Sequence, residues 1–306
     1  MKHLDFDVNY QHPDWRIIAQ EMCANSDIAV RDLVRGGGTD HVVFFLNDDL
    51  VLKIYRLERN GFERERTALD LFSEIETDVE TPQIVFLGEL AGLNYIIMTR
   101  VAGTELTRTD YLRLPLREQR EIAAQLGHVI RQLHRVESGS DTREWRDFVA
   151  DQASTFLTRQ IGQGVSQKVL LQIPECLESN LRFVPSEPTV FLHGDIHFGN
   201  LRFEISKGKH NLSGLFDMAD SRVAHPEYDL LAIGVLIFQG QRELQREFLL
   251  AYGYNASELN EEMRRRLMIL TMLYETADLR RYAERLGPHA ADLDLYELER
   301  AIWAFV

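Results

Sequence analysis

The run His193-Gly194-Asp195-Ile196-His197-Phe198-Gly199-Asn200 leaves an apolar strand and sets a carboxylate and a carboxamide five positions apart across a tight loop. A second carboxylate, Asp217, ends another apolar run at Phe216-Asp217-Met218. Moving a phosphoryl group to a hydroxyl needs such a set: one Asp to orient the hydroxyl and take its proton, and an Asn plus a second Asp to hold Mg²⁺ against the phosphates. Mg²⁺ prefers hard oxygen ligands and keeps several waters, so two protein ligands suffice. This chemistry assigns Asp195 as the catalytic base and Asn200 and Asp217 as the metal ligands. The plain alternative is that Asp195 and Asn200 cap local turns and Asp217 caps a helix.

Upstream, Gly36-Gly37-Gly38 precedes a strand, where bare backbone amides can approach phosphate oxygens. The spacing does not fit G-x-G-x-x-G, and a flexible turn is the competing reading. Lys53 interrupts the apolar run Leu50-Val51-Leu52 and Ile54-Tyr55, where an unpaired ammonium is costly. It therefore needs an anionic partner, for which Glu63 and Glu65 are candidates. A Lys–Glu pair of this kind steadies the lysine over the α- and β-phosphates of a nucleotide. Read without the downstream carboxylates, Lys53 is instead an edge-strand lysine that blunts aggregation. His193 and His197 have no third nitrogen or thiolate at transition-metal spacing.

These residues need a sheet and a set of helices to hold them. Val42 to Leu46 and Leu50 to Tyr55 are β-branched and aromatic runs around the turn formers Asn47, Asp48 and Asp49, which predicts a hairpin. Gly61 to Ile75 carries Phe62, Ala68, Leu69, Phe72 and Ile75 on one helical face. Gln83 to Leu90 and Asn94 to Arg100, flanking Gly92, predict a second hairpin. Beyond Gly103 the pattern turns helical, clearest at Glu118 to Arg135 with its stripe of Ile122, Leu126, Val129, Ile130 and Leu133. Ser138 to Thr142 reads as a polar loop between helices. Short strands are expected at Thr189 to Leu192, Leu201 to Ile205 and Leu212 to Phe216, with packed helices from Tyr228 on. The boundary falls at about residues 99–104, giving a nucleotide-binding region over 1–100 and a catalytic and acceptor region over 101–306.

Composition narrows the partners. Lys plus Arg total 34 against 48 Asp plus Glu, a net charge of −14, and such a field repels phosphodiester backbones and attracts cations. No nucleic acid partner is expected. The 306 residues are 45% hydrophobic and 27% charged, as in a globular protein. The longest uncharged apolar stretch, Leu230 to Gly240, is far short of the roughly 20 residues that span a bilayer, so no membrane partner is expected either. Two cysteines, Cys23 and Cys176, are too few for a disulfide framework and point to the cytoplasm. The start carries Asp5, Asp7 and, further on, Asp14, and no apolar core flanked by positive charge. No secretory signal is expected, and the mature chain is expected to begin here.

The order of glycine loop, strand lysine, helix glutamate, H-G-D-x-x-x-x-N and strand-ending aspartate resembles the aminoglycoside phosphotransferase and choline kinase family, over nearly the whole chain. The resemblance implies an α+β, protein-kinase-like fold of two lobes: a small N-terminal antiparallel sheet with a helix, and a larger, mainly helical C-terminal lobe. Arg64-Glu65-Arg66-Thr67-Ala68-Leu69 is similar to the family's R-E-x-x-x-L helix start, which favours Glu65 over Glu63. Tyr95 to Gly103 resembles the strand and hinge that bind adenine, with Met98 behind the base and Thr99 and Val101 beside it. Pro226-Glu227-Tyr228-Asp229-Leu230 is similar to the D-P-x-Y-D-L segment, so Asp229 is expected to brace the catalytic loop together with His193. Met218 departs from the aromatic or glycine usual after the metal-binding Asp.

Ala224-His225-Pro226-Glu227 looks like the segment that closes a protein-kinase activation loop. However, Glu227 follows Asp217 by only ten positions and Gly194 replaces the arginine of H-R-D. A small-molecule acceptor is therefore expected. Several stretches are most similar to hygromycin B phosphotransferases, which implies transfer of the γ-phosphoryl group of ATP or GTP, with Mg²⁺, to a hydroxyl of a cationic aminoglycoside. Glu275 and Asp278, three apart on a late helix, are the candidate amine-binding pair, with a solvated helix face as the competing reading. A metabolic kinase acting on choline, an amino alcohol or a sugar, and a nucleotide-binding module without catalysis, are the alternatives. Oligomeric state is left open.

Overall fold

The computed structural model describes residues 14–38, 40–56, 60–136 and 143–306. The expected N-terminal start, 1–10, and the expected loop Ser138 to Thr142 lie outside the described residues. The chain divides into two units: Met1–Gly103 with Ser213–Ser221, and Thr104–Leu212 with Arg222–Val306.

The first unit is built on a five-stranded antiparallel sheet in the order β1-β2-β3-β5-β4. Its strands are β1 (Leu33–Arg35), β2 (Val42–Leu46), β3 (Leu50–Ile54), β4 (Ile84–Leu90) and β5 (Leu93–Thr99). Asn47, with φ at 53°, turns β2 into β3, and its side-chain oxygen accepts Arg31 N–H at 2.9 Å. The β4–β5 turn places both Ala91 and Gly92 at positive φ, the geometry a tight hairpin needs. On one face helix α1 (Asp14–Asn25) lays Trp15, Ile18, Ala19, Met22 and Cys23 against Phe44, Leu46, Leu52, Ile54, Tyr95 and Ile97. Helix α2 (Gly61–Ser73) buries Glu65 with Ala68, Leu69 and Phe72. The segment Ser213–Ser221 joins this unit through backbone bonds, Glu80 N–H to Ser213 O at 2.8 Å and Leu215 N–H to Glu80 O at 3.0 Å.

In the second unit α3 (Leu116–Leu133) buries Ile122, Ala123, Leu126, Val129, Ile130 and Leu133. It packs closely on a later helix, Arg242–Tyr252: a Cβ at Gly127 would lie 2.5 Å from Phe248 O. α4 (Arg143–Gly162) follows, then β6 (Val190–Leu192), which pairs antiparallel with β9 (Arg222–Ala224). Between them β7 (Leu201–Ser206) and β8 (Lys209–Leu215) form a two-stranded ribbon. α5 (Glu227–Ala232) continues as a π-helix over Ile233–Phe238, where Gly234 leaves room for the Trp303 ring. Later helices include α6 (Arg242–Tyr252), α7 (Glu261–Leu273), α8 (Leu279–Leu286) and α9 (Leu295–Ile302), and shorter helical segments lie earlier at Arg108–Tyr111, Gln167–Leu170 and Ile173–Asn180.

One expectation is corrected here. Glu275 and Asp278 do not share a helix face, because α7 ends at Leu273 and Tyr274 turns extended with ψ at 135°. Tyr274 is drawn out by its own hydroxyl, which donates to Gly194 O at 2.9 Å, while Glu275 N–H donates to Tyr228 OH at 3.1 Å. Asp278 is the N-cap of α8, accepting Arg281 N–H at 3.0 Å. Asp278→Ala should therefore lower stability by about 1 kcal/mol, as loss of a cap does, and leave acceptor KM unchanged. Chemical denaturation beside steady-state kinetics checks this, and a KM change without a stability change would contradict it.

Candidate active site

Lys53 lies in β3 between β2 and β5, opposite Val43 and Ile96, so it is not an edge lysine. Only 5% of it is exposed. Its Nζ stands 2.5 Å from Glu65 Oε2 and 2.6 Å from Asp217 Oδ1. Glu63, the other candidate, pairs instead with Arg66 on the outer face of α2. Burial alone would push the Lys53 pKa down, but Asp217 and Glu65 outweigh it and hold the ammonium above the ordinary lysine value. Asp217 sits at φ 66°, a left-handed backbone that an aspartate adopts at some cost, with about half its side chain exposed.

The glycines divide their work. Gly36 extends the sheet pairing through its N–H to Val43 O at 2.9 Å, Gly37 has open space around it, and Gly38 adopts φ 139°. Met98 is buried in β5 opposite Val51 and Ile84. The N–H groups of Thr99 and Arg100 are taken by Gln83 O at 2.9 Å and Asp49 O at 2.7 Å.

In the second unit the loop after β6 carries Asp195. Gly194 takes φ 90°, and the N–H groups of His193 and Gly194 donate to the two oxygens of Asp229 at 2.9 and 2.7 Å. His193 is fully buried and its Nδ1 accepts Asp195 N–H at 3.3 Å. Asn200 donates through Nδ2 to Asp195 O at 2.9 Å, which turns its Oδ1, the atom a cation takes, away from that bond. His197 Nδ1 accepts Gly199 N–H at 3.0 Å, so the ring proton sits on Nε2, 3.3 Å from Asp195 Oδ2.

Beneath the loop lies a buried network that motif reading missed. His134, at the end of α3, places Nε2 3.1 Å from Asp229 Oδ2 and Nδ1 2.9 Å from Tyr252 OH. Burial alone would raise the Asp229 pKa, but His134, His193 and the Gly194 N–H reverse this and hold it below the ordinary value. Next to it Glu227 is clamped by Arg266 through two bonds of 2.7 Å and accepts Tyr254 OH at 2.9 Å.

His225 accepts Glu227 N–H on Nδ1 at 3.3 Å. Burial pushes its pKa from 6.5 down to about 4; Glu227 opposes this, and Arg266 and His134 add to it. Between those values the imidazole is neutral in the fold and protonated in the unfolded chain, so the unfolded state binds more protons and stability falls as pH falls. The loss through this window should reach roughly 3 kcal/mol. His225→Gln should flatten the slope in denaturation series taken from pH 6.5 to 4; a slope identical to wild type would contradict it.

All of these motif residues, from Gly36 to Asp217, fall within the stretch that matches a known family. The phosphotransferase enzyme family (APH) matches residues 33–268, over three quarters of the chain. The chain belongs to this phosphotransferase family. Among solved structures it is similar to the GDP complex of wild-type aminoglycoside 2'-phosphotransferase-IIIa, at 15% identity and a TM-score of 0.70, covering 94% of this chain and 98% of that one. It is similar also to the gentamicin complex of APH(2")-IIa, at 19% identity and a TM-score of 0.60, covering 100% of both chains. APH(3'')-Id from Streptomyces rimosus, in complex with ADP and streptomycin, shares 16% identity at a TM-score of 0.57, over 84% of this chain and 98% of that one. The fold of this phosphotransferase is thus the kinase-like α+β fold of the aminoglycoside phosphotransferases.

Glu275 pairs with Arg222 at 2.5 Å, and Arg222 lies over the Phe148 and Tyr228 rings. Glu275 also lines an open cleft with Asp151, Thr155 and Arg159 of α4. Cys23 and Cys176 are buried free thiols, each pushed up to about 11 by burial, which leaves little thiolate for reaction.

Proposed function

We propose that this protein transfers the γ-phosphoryl group of ATP or GTP to a hydroxyl of a small molecule, with an aminoglycoside as the leading acceptor class. The observation that carries the reading is the convergence of buried Lys53 on Glu65 and Asp217, a charge arrangement that meets nucleotide phosphates. Gly36, Gly37 and Gly38 would face the phosphates, and Met98, Thr99 and Val101 the base. Asp195 would orient the acceptor hydroxyl and take its proton, while His193 and Asp229 hold the loop.

Mg²⁺ fits the donors present: Asp217 offers a half-exposed carboxylate on a left-handed backbone, and Asn200 an amide oxygen whose nitrogen is already anchored. Asn200 and Asp217 would hold it, and the ion would supply charge neutralisation for the phosphates. The neighbours' complexes with GDP, ADP, streptomycin and gentamicin support a nucleotide donor and an aminoglycoside acceptor, and hygromycin B is tested within that class. On the acceptor side, Glu275 and Asp151 line one cleft of the second unit, and Tyr274, beside Glu275, bonds Gly194 of the catalytic loop. Two carboxylates there suit a cationic acceptor, with Glu275 shared between Arg222 and the substrate; Asp278 is left as a cap. A free nucleotide donor also fits a cytoplasmic setting.

A coupled nucleotide-turnover screen of aminoglycosides, amino alcohols, choline and sugars, with ATP and GTP in parallel, tests the reading. Turnover dependent on an aminoglycoside supports it. Turnover only with choline or a sugar assigns a metabolic kinase instead, and binding of nucleotide without turnover on any acceptor assigns a regulatory module.

A further inference from the structure

We propose that Tyr55 is a positioning residue of the phosphate-binding lysine: its phenol, acting through Glu65, holds Lys53 in the orientation that meets the nucleotide. The inference rests on the phosphotransferase reading above. Tyr55 follows β3 directly, two positions after Lys53, and its N–H continues the sheet by donating to Asn94 O at 2.9 Å. An interval of two puts both side chains on one side of the strand. The Tyr55 hydroxyl donates to Glu65 Oε2 at 2.6 Å, the same oxygen that lies 2.5 Å from Lys53 Nζ. The ammonium also stands 5.4 Å from the centre of the Tyr55 ring. The second oxygen of Glu65 accepts Met218 N–H at 3.1 Å, so one buried carboxylate ties together the lysine strand, the phenol and the backbone after Asp217.

The phenol is held as firmly as the carboxylate it serves. Its ring is 1% exposed, with the His41 ring 4.9 Å away and Phe62 edge-on at 5.5 Å. Burial and the neighbouring Glu65 charge raise its pKa well above the ordinary tyrosine value, so it remains a donor at any working pH. Three donors fix the rotation of Glu65. Without the phenol, the carboxylate keeps its charge and its burial but loses one of the bonds that orient it, and a buried anion short of a donor reorganises. Lys53 is shared with Asp217 at 2.6 Å, so it shifts with whichever carboxylate moves. The consequence falls on nucleotide phosphates and not on the acceptor.

The test uses Tyr55→Phe in the full chain, which keeps the ring packed on His41 and Phe62 and removes only the hydroxyl. Affinity is read by calorimetry with Mg-ADP and Mg-GDP, and KM for nucleotide and acceptor by steady-state kinetics. Loss of one hydrogen bond to a charged group should raise nucleotide Kd and KM about tenfold, with acceptor KM unchanged. In a Glu65→Gln background the same change should add less than about twofold, because the two residues act as one unit. Nucleotide affinity equal to wild type in Tyr55→Phe, whatever its melting temperature, overturns the inference and leaves Tyr55 as packing. Full additivity with Glu65→Gln overturns it too. Absence of nucleotide binding by the wild-type protein would sink the phosphotransferase reading and this inference with it, whereas wild-type binding that Tyr55→Phe retains sinks this inference alone.

Discussion

Replacing Asp195 with alanine is expected to lower kcat by roughly 10²- to 10⁴-fold, the range over which a positioned acid or base contributes. The carboxylate is one-third exposed at the start of the 193–200 loop, where Asn200 holds its carbonyl and His197 approaches its Oδ2. The Asp195 side chain takes long contacts, from Asn200 Nδ2 at 3.5 Å and His197 Nε2 at 3.3 Å, whereas Asp229 accepts two backbone N–H groups of the same loop at 2.9 and 2.7 Å. The variant should therefore fold normally and bind nucleotide with little change. Turnover within threefold of wild type would remove Asp195 from the chemistry.

Asp217→Ala should be more damaging, lowering turnover on the order of 10³-fold while the fold persists. The change removes a proposed oxygen ligand of Mg²⁺ and also the partner that lies 2.6 Å from Lys53 Nζ. Lys53 then keeps its pairing with Glu65, 2.5 Å away, but loses the second carboxylate that holds the ammonium between the two and towards a phosphate. Asp217→Asn separates the effects, since it keeps a hydrogen-bond acceptor for Lys53 but lacks the charge that neutralises a divalent cation. Asp217→Asn should therefore resemble Asp217→Ala in Mg-nucleotide turnover and wild type in melting temperature. If both variants keep turnover within about tenfold of wild type, Asp217 neither holds the metal nor positions the lysine.

Four strands of the central sheet were legible as β-branched and aromatic runs on either side of turn formers, Asn47 to Asp49 and Gly92, whereas β1 (Leu33–Arg35), three residues long, was not read. Lys53 stood out as a charge inside an apolar run, while Glu65 was preferred to Glu63 on the resemblance to the R-E-x-x-x-L helix start, and in the fold Glu65 is buried with Ala68, Leu69 and Phe72. The same logic would have found Tyr55, two positions after Lys53, and helix α1, whose Trp15, Ile18, Ala19, Met22 and Cys23 recur at helical spacing. Other features were not legible locally. Glu275 and Asp278 read as one helix face because no glycine or proline marks the end of α7. The break comes from Tyr274 bonding Gly194 and Glu275 bonding Tyr228, partners 80 and 47 positions away. The grouping of Ser213–Ser221 with the first unit likewise rests on Glu80, and the bond from His134 to Asp229 spans 95 positions. Such contacts follow from tertiary packing, which period and spacing do not encode.

In the proposed reaction a phosphoryl group leaves a nucleoside triphosphate and arrives on an acceptor hydroxyl. Mass spectrometry of the acceptor, after incubation of the wild-type protein with Mg-ATP or Mg-GTP and each aminoglycoside in turn, tests it most directly. The expected product is an acceptor carrying one added phosphoryl group, formed in step with nucleoside diphosphate and lost with Asp195→Ala. Diphosphate accompanied only by inorganic phosphate, with every aminoglycoside, amino alcohol and sugar unmodified, would contradict it.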